Sequence, residues 1–140
     1  MIKPFSTALA TSLFALAALP AAAQDAEVCA GVGANGQWLG GDEASSDIST
    51  SDSYIEQMAL VLMQNEYVGL FSVSVDGDYR IEAQGRGGGD TVLDVRNEMG
   101  AIIASDDDSG GAAASRTEVF LTAGTYCASM RSFDGSPLLG

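Results

Sequence analysis

The most regular alternation of apolar and polar positions begins at Tyr67. Along Tyr67-Val68-Gly69-Leu70-Phe71-Ser72-Val73-Ser74-Val75, the apolar Phe71, Val73 and Val75 alternate with Ser72 and Ser74, the two-residue period of a strand with one face in a core. Asp76-Gly77 follows, a pair that tolerates the positive φ of a tight hairpin turn. Tyr79-Arg80-Ile81-Glu82-Ala83 alternates again, and Gly85–Gly89 breaks the run. Thr91–Arg96 turns Leu93 and Val95 inward and Asp94 and Arg96 outward. Asn97-Glu98-Met99-Gly100 then reverses the chain into Ala101–Ala104, which makes a hairpin of the two strands. Arg116–Leu121, a turn at Thr122-Ala123-Gly124, and Thr125–Arg131 complete the series. Short strands at this spacing, punctuated by turn residues, predict an all-β, jelly-roll-like antiparallel β-sandwich.

Upstream the pattern is less decisive. Ser53-Tyr54-Ile55-Glu56 fits a capping box, and Ile55, Met58, Ala59 and Leu62 recur at helical spacing. Met58–Met63 is also apolar at every position, as a buried strand would be. Residues 54–63 are read as a strand, with one short helix as the alternative. Asp42–Ser53 is polar and small and reads as a loop or edge segment. Gly31-Val32-Gly33-Ala34-Asn35-Gly36 satisfies G-x-G-x-x-G, but that motif binds a dinucleotide only between a strand and a helix. Gln37-Trp38-Leu39-Gly40-Gly41 cannot open a helix, so the glycines are read as a loop leading to Trp38.

The first 23 residues have a different pattern. Lys3 precedes the apolar stretch Phe5–Leu19, Pro20 ends it, and Ala21-Ala22-Ala23 supplies a small-residue cleavage site before Gln24. This is the plan of a secretory signal peptide, and the apolar run is short of the about 20 residues a spanning helix needs. The expected mature chain is Gln24–Gly140, one domain in an exported protein, periplasmic or extracellular, with no membrane insertion after cleavage.

Composition narrows the chemistry. The only lysine leaves with the signal, so five arginines face 19 acids and the mature charge is -14, while all 17 glycines remain. An acidic chain of this kind has no basic face to meet phosphate, which excludes nucleic acid as a partner and argues against anionic membranes. There is no histidine. Imidazole general bases, Ser-His-Asp and Cys-His nucleophile systems and His-containing zinc sites are therefore excluded. Two cysteines are too few for an all-thiolate metal site. In an oxidising compartment, Cys29 and Cys127 are most simply a disulfide, two buried thiols being the alternative. Such a bond would close a loop of about 100 residues and stabilise the fold by about 4–5 kcal/mol in the chain-entropy model.

Several pieces in order carry a family resemblance. They are Asp90-Thr91-Val92-Leu93-Asp94-Val95, Gly100 closing a hairpin, and the acid-rich Ala104-Ser105-Asp106-Asp107-Asp108-Ser109-Gly110-Gly111. Arg116–Leu121 comes next, then Ala123-Gly124-Thr125-Tyr126-Cys127 and Met130-Arg131-Ser132. Together they cover roughly half of the chain, and the sequence resembles the bacterial pre-peptidase C-terminal (PPC) domain. The resemblance implies a small β-sandwich that accompanies secreted hydrolases or surface proteins as an accessory, binding or processing module without catalysis of its own. Some related domains bind calcium through loop carboxylates. This chain carries no catalytic domain for such a module to serve. It ends at Ser136-Pro137-Leu138-Leu139-Gly140, where a sandwich of this type would run on into a closing strand, so it is expected to be part of a longer product.

The candidate chemistry follows from the acids and the aromatics. Asp106-Asp107-Asp108 is the densest charge in the chain, and hard oxygen ligands in a glycine-flanked loop suit calcium. The hairpin 91–96/101–104 places Asp90 near Ser105–Asp107, which makes Asp90, Asp106, Asp107 and Asp108 the candidate metal ligands. The spacing is not that of an EF-hand, and the single Gly85–Asp90 run lacks the stacked copies of a calcium β-roll. Carboxylate pairs alone can hydrolyse glycosides, yet nothing in the sequence brings two acids across a cleft, and no catalysis is expected. Among the aromatics, Trp38 and Phe133 are the ones placed in loops, the candidate platform for a polysaccharide or another ligand. The functional expectation is an exported, non-catalytic accessory or binding module, calcium-stabilised in one version, whose partner is a secreted protein or a polysaccharide. The alternatives are a structural or cell-surface component of a longer protein and a carbohydrate-binding module.

Overall fold

The computed structural model describes residues 28–50 and 54–140. The expected signal peptide, residues 1–23, and Ser53 of the capping box lie outside them. Among the described residues nine strands are formed: β1 (Gln37–Trp38), β2 (Leu60–Val61), β3 (Tyr67–Val73), β4 (Gly77–Ala83), β5 (Thr91–Arg96), β6 (Ile102–Asp106), β7 (Ser115–Leu121), β8 (Gly124–Ser132) and β9 (Leu138–Leu139). Five of them form one sheet in the order β1-β3-β8-β5-β6. β4 with β7, and β2 with β9, form two separate pairs. Every pairing is antiparallel except β1 on β3, which is parallel.

The five-stranded sheet and the two pairs enclose the main core. Phe71 and Val73 of β3, Leu93 and Val95 of β5 and Tyr126 and Met130 of β8 face Ala83 of β4, Leu121 of β7, Val61 of β2 and Leu138 of β9. Phe71 stacks on Tyr126, its cross-strand partner, with ring centroids 5.7 Å apart. Burying a side chain of the size of Phe71 or Leu93 stabilises the fold by about 1.5–3 kcal/mol.

Over β3 and β8 the other face of the same sheet is also covered. Val68 and Leu70 of β3 and Cys127 of β8 pack against Cys29, Val28, Val32 and Trp38 of the N-terminal segment. Cys29 and Cys127 form a disulfide across 98 residues, and both are fully buried. The glycine motif is not an open loop. Val28–Asn35 forms 3-10 turns in which Cys29, Ala30 and Gly31 take positive φ, and β1 follows. Among the described residues the motif has no strand–turn–helix arrangement for a dinucleotide. Gly100 is required where this segment meets the β5–β6 turn: its φ is +80°, and a Cβ there would lie 2.7 Å from Ala30 Cβ.

Four expectations change. The Asp76-Gly77 turn and the Thr122-Ala123-Gly124 turn are not hairpins within one sheet. β3 pairs with β8 and β4 with β7, so each turn carries the chain from one sheet to the other. Val75 lies beyond the end of β3 and is exposed, because the chain is already turning away there. Residues 54–63 hold neither the short helix nor a full strand; Leu60–Val61 pairs with β9, Ala59 exchanges backbone hydrogen bonds with Gly140, and Val61 and Ala59 face the core. β6 runs on to Asp106 after a register shift between Val95 and Arg96, so Ser105 and Asp106 belong to the strand. Asp94 points to the outer face as expected, yet is nearly buried there, where it accepts a hydrogen bond from the Ser105 hydroxyl at 2.6 Å.

Candidate functional site

The acidic loop joins β6 to β7 at the end of the sandwich where β5 begins. Its anchor is a pair of fully buried hydroxyls, Thr91 and Ser115. Thr91 donates to the Ala83 carbonyl at 3.0 Å and accepts the Ser115 N–H at 3.1 Å. The Ser115 hydroxyl donates to the Thr91 carbonyl at 2.7 Å and reaches the Asp107 carbonyl at 3.2 Å. One hydroxyl therefore links Thr91, the neighbour of Asp90, to the acidic loop.

The four aspartates do not assemble as a cage. Asp106 Oδ2 accepts the N–H groups of Ser109 and Arg116, each at 2.8 Å, and hydrogen bonding from the Ser109 side chain first, then from the Arg116 N–H, holds its carboxyl below the ordinary range. Asp106 closes the turn, and Asp107 and Asp108 point into solvent. Among the described residues no three Asp, Glu or Cys side chains converge in an arrangement fit for a metal ion. Calcium takes 6–8 oxygens, and the expected Asp90–Asp106–Asp107–Asp108 set does not supply them as placed. One atom is left over: Asp90 Oδ1 is buried without a hydrogen-bond partner.

Other carboxylates follow the same plan of building turns. Asp134 accepts the Ser136 and Ser132 hydroxyls at 2.6 and 2.7 Å and the Ser136 N–H at 2.9 Å. Those donors, Ser136 first, pull its carboxyl down to about 2.

The expected aromatic platform is also divided. Trp38 is half-buried beside Leu70 and the disulfide, where it packs instead of presenting a face. Phe133 is exposed just after β8. Trp38 registers with Leu70 and Leu70 with Cys127, six positions along from Phe133, a separation of about 20 Å along the strand direction. They do not form one site.

A different face gathers exposed aromatics with ordered charge. On the outer side of the β4–β7 pair the even-numbered residues stand together: Phe120 opposite Asp78, Glu118 opposite Arg80, Arg116 opposite Glu82. Glu82 accepts Arg116 Nε at 2.5 Å and lies 3.5 Å from Arg80 Nε. The Arg80 guanidinium lies over the Tyr54 ring, 5.6 Å from its centroid, and donates to the Tyr54 hydroxyl. Tyr54 and Phe120 are 77% and 60% exposed. Phe120 escaped the sequence reading, although the alternation of Arg116–Leu121 opposes 116, 118 and 120 to the core positions. Tyr54 lies in a stretch without regular structure, and no periodicity could place it.

Two shallow concavities accompany these surfaces. One of about 310 Å³ lies between β1, residues 58–60 and residues 66–68, and Glu66 is its one carboxylate. One of about 190 Å³ lies between Asn97–Met99 and Thr122–Tyr126, and Glu98 is its one carboxylate. Neither holds the facing pair that hydrolysis of a glycoside needs.

No protein-family model matches the chain, and no curated protein matches it. A solved structure does: the pre-peptidase C-terminal domain of a collagenase from Bacillus anthracis, 14% identical, with a TM-score of 0.50 over 59% of this chain and 80% of that one. The fold is therefore PPC-like.

Proposed function

We propose that the mature chain is an exported accessory module that binds and does no chemistry of its own. The observation that carries this reading is the PPC-like sandwich, the architecture of the pre-peptidase C-terminal domain of a collagenase. The buried disulfide fits an oxidising compartment outside the cytoplasm. Among the 19 carboxylates, Asp106 and Asp134 build turns, and Glu82 pairs with arginine. The test is to express the whole gene product in a bacterial host and to analyse the processed protein. The expected result is an N-terminus at Gln24, an intact Cys29–Cys127 bond, and no turnover on a panel of polysaccharides and peptides. Retention of residues 1–23 would overturn export. Turnover lost on substituting Glu66 or Glu98 by glutamine would overturn the non-catalytic part.

A second reading concerns calcium, and the buried unpartnered Asp90 Oδ1 favours it. An oxygen in that position is costly without a donor or cation, by about 1–3 kcal/mol. A rise in Tm in millimolar calcium that disappears in Asp90→Asn supports a cation there, and an unchanged Tm removes this reading.

A further inference from the structure

The outer face of the β4–β7 pair matches one class of ligand better than others. The charged side chains have satisfied one another: Glu82 holds Arg116 and Arg80, and Arg80 also holds Tyr54. The Arg80 and Arg116 side chains remain 40% and 39% exposed. Beside them stand two exposed rings: Tyr54 against Arg80, and Phe120 two residues along β7 from Glu118, the cross-strand partner of Arg80. A polyanion gains little from two arginines that share their face with Glu82, Glu118 and Asp78, and the mature charge of -14 repels it. An apolar protein surface would have to strip water from several ionised side chains, which costs more than two rings return. A neutral polyhydroxylated chain meets neither obstacle. It can hydrogen-bond to guanidinium and carboxylate without extinguishing their charge, and it can lay its C–H faces on Tyr54 and Phe120.

We propose that this face is a binding site for a neutral polysaccharide, with Tyr54 and Phe120 as stacking surfaces and Arg80, Glu82, Arg116 and Glu118 as the hydrogen-bonding groups. The site rests on the accessory-module reading and gives it a ligand class. The experiment is affinity gel electrophoresis of the mature, disulfide-intact protein in laminarin, hydroxyethylcellulose and konjac glucomannan, with polygalacturonate as the anionic polymer. The expected result is retardation by at least one neutral polymer that persists in about 0.5 M NaCl. Tyr54→Ala and Phe120→Ala each weaken it by about tenfold, Phe120→Tyr retains it, and Phe133→Ala leaves it unchanged. Near-ultraviolet circular dichroism shows that the variants remain folded. Absence of retardation in all three neutral polymers overturns the proposal, as does equal retardation of the wild type and both alanine variants. Retardation by polygalacturonate alone overturns it in favour of an anionic ligand. Concentration-dependent dimerisation abolished by Phe120→Ala overturns it in favour of a self-interface. Binding lost only in Trp38→Ala overturns this site while leaving the accessory-module reading intact.

Discussion

β3 of the five-stranded sheet and the two strands of the β4–β7 pair are each seven residues long, yet they differ in what their second face meets. β3 is apolar on both sides: Phe71 and Val73 enter the sandwich, and Val68 and Leu70 lie under the disulfide-tethered segment that begins at Val28. β4 and β7 bury Ala83 and Leu121 on one side and leave Arg80, Glu82, Glu118 and Phe120 in water on the other. The first arrangement resists unfolding, and the second leaves a patterned surface free. A sheet covered on both sides pays for that security in sequence freedom, whereas the open pair can change its outward residues at little cost in stability.

Removing the cover is the most severe way to break this contrast. Cys29→Ser with Cys127→Ser is expected to lower stability by about 2–5 kcal/mol, measured by urea denaturation against the oxidised protein. Leu70→Ala, which empties a fully buried position under the same cover, is expected to cost about 3 kcal/mol. Thr91→Ala is next, at about 1–3 kcal/mol, because it leaves the Ala83 carbonyl and the Ser115 N–H buried without a partner. Thr91→Ser restores most of that loss. Phe120→Ala, on the open face, changes stability by less than about 0.5 kcal/mol. A cost equal to that of Leu70→Ala would show that the outer face is covered after all.

Acid sharpens the comparison at the loops. The Asp134 carboxyl is lowered in the folded chain from 3.8 to about 2 by its serine donors. A depressed folded value means that the contribution is fully present above the unfolded value and is lost as pH falls through the folded one. Tm is therefore expected to fall between about pH 4 and pH 2, and Asp134→Asn should flatten that part of the profile. Asp106, lowered in the same direction, adds to the same limb.

Much of the strand content was legible because two-residue alternation survives wherever one face meets water. Tyr79–Ala83, Thr91–Arg96 and Arg116–Leu121 each coincide closely with a strand. The partners were not legible. Asp76-Gly77 and Thr122-Ala123-Gly124 fix a local bend, but whether the next strand pairs beside the last or crosses to the opposite sheet depends on contacts far along the chain. Residues 54–63 misled for a related reason. Met58, Leu60, Leu62 and Met63 look like core and are exposed, while Val61 alone is buried. The acidic loop was legible as a charge cluster but not in its roles, since which carboxylate meets a backbone N–H depends on the turn that Asp106 itself closes. The Tyr54–Arg80 contact joins residues 26 apart without any pattern between them.

Native-state hydrogen exchange tests the contrast between the covered sheet and the open pair most directly. The account predicts that the β3 and β8 amides, on either side of the Leu70–Cys127 pairing, exchange only through global unfolding, with β4 and β7 at least about tenfold faster. Reduction of Cys29–Cys127 should then accelerate β3 and β8 toward the β4 and β7 rates. Equal protection in all four strands, unchanged by reduction, would contradict it.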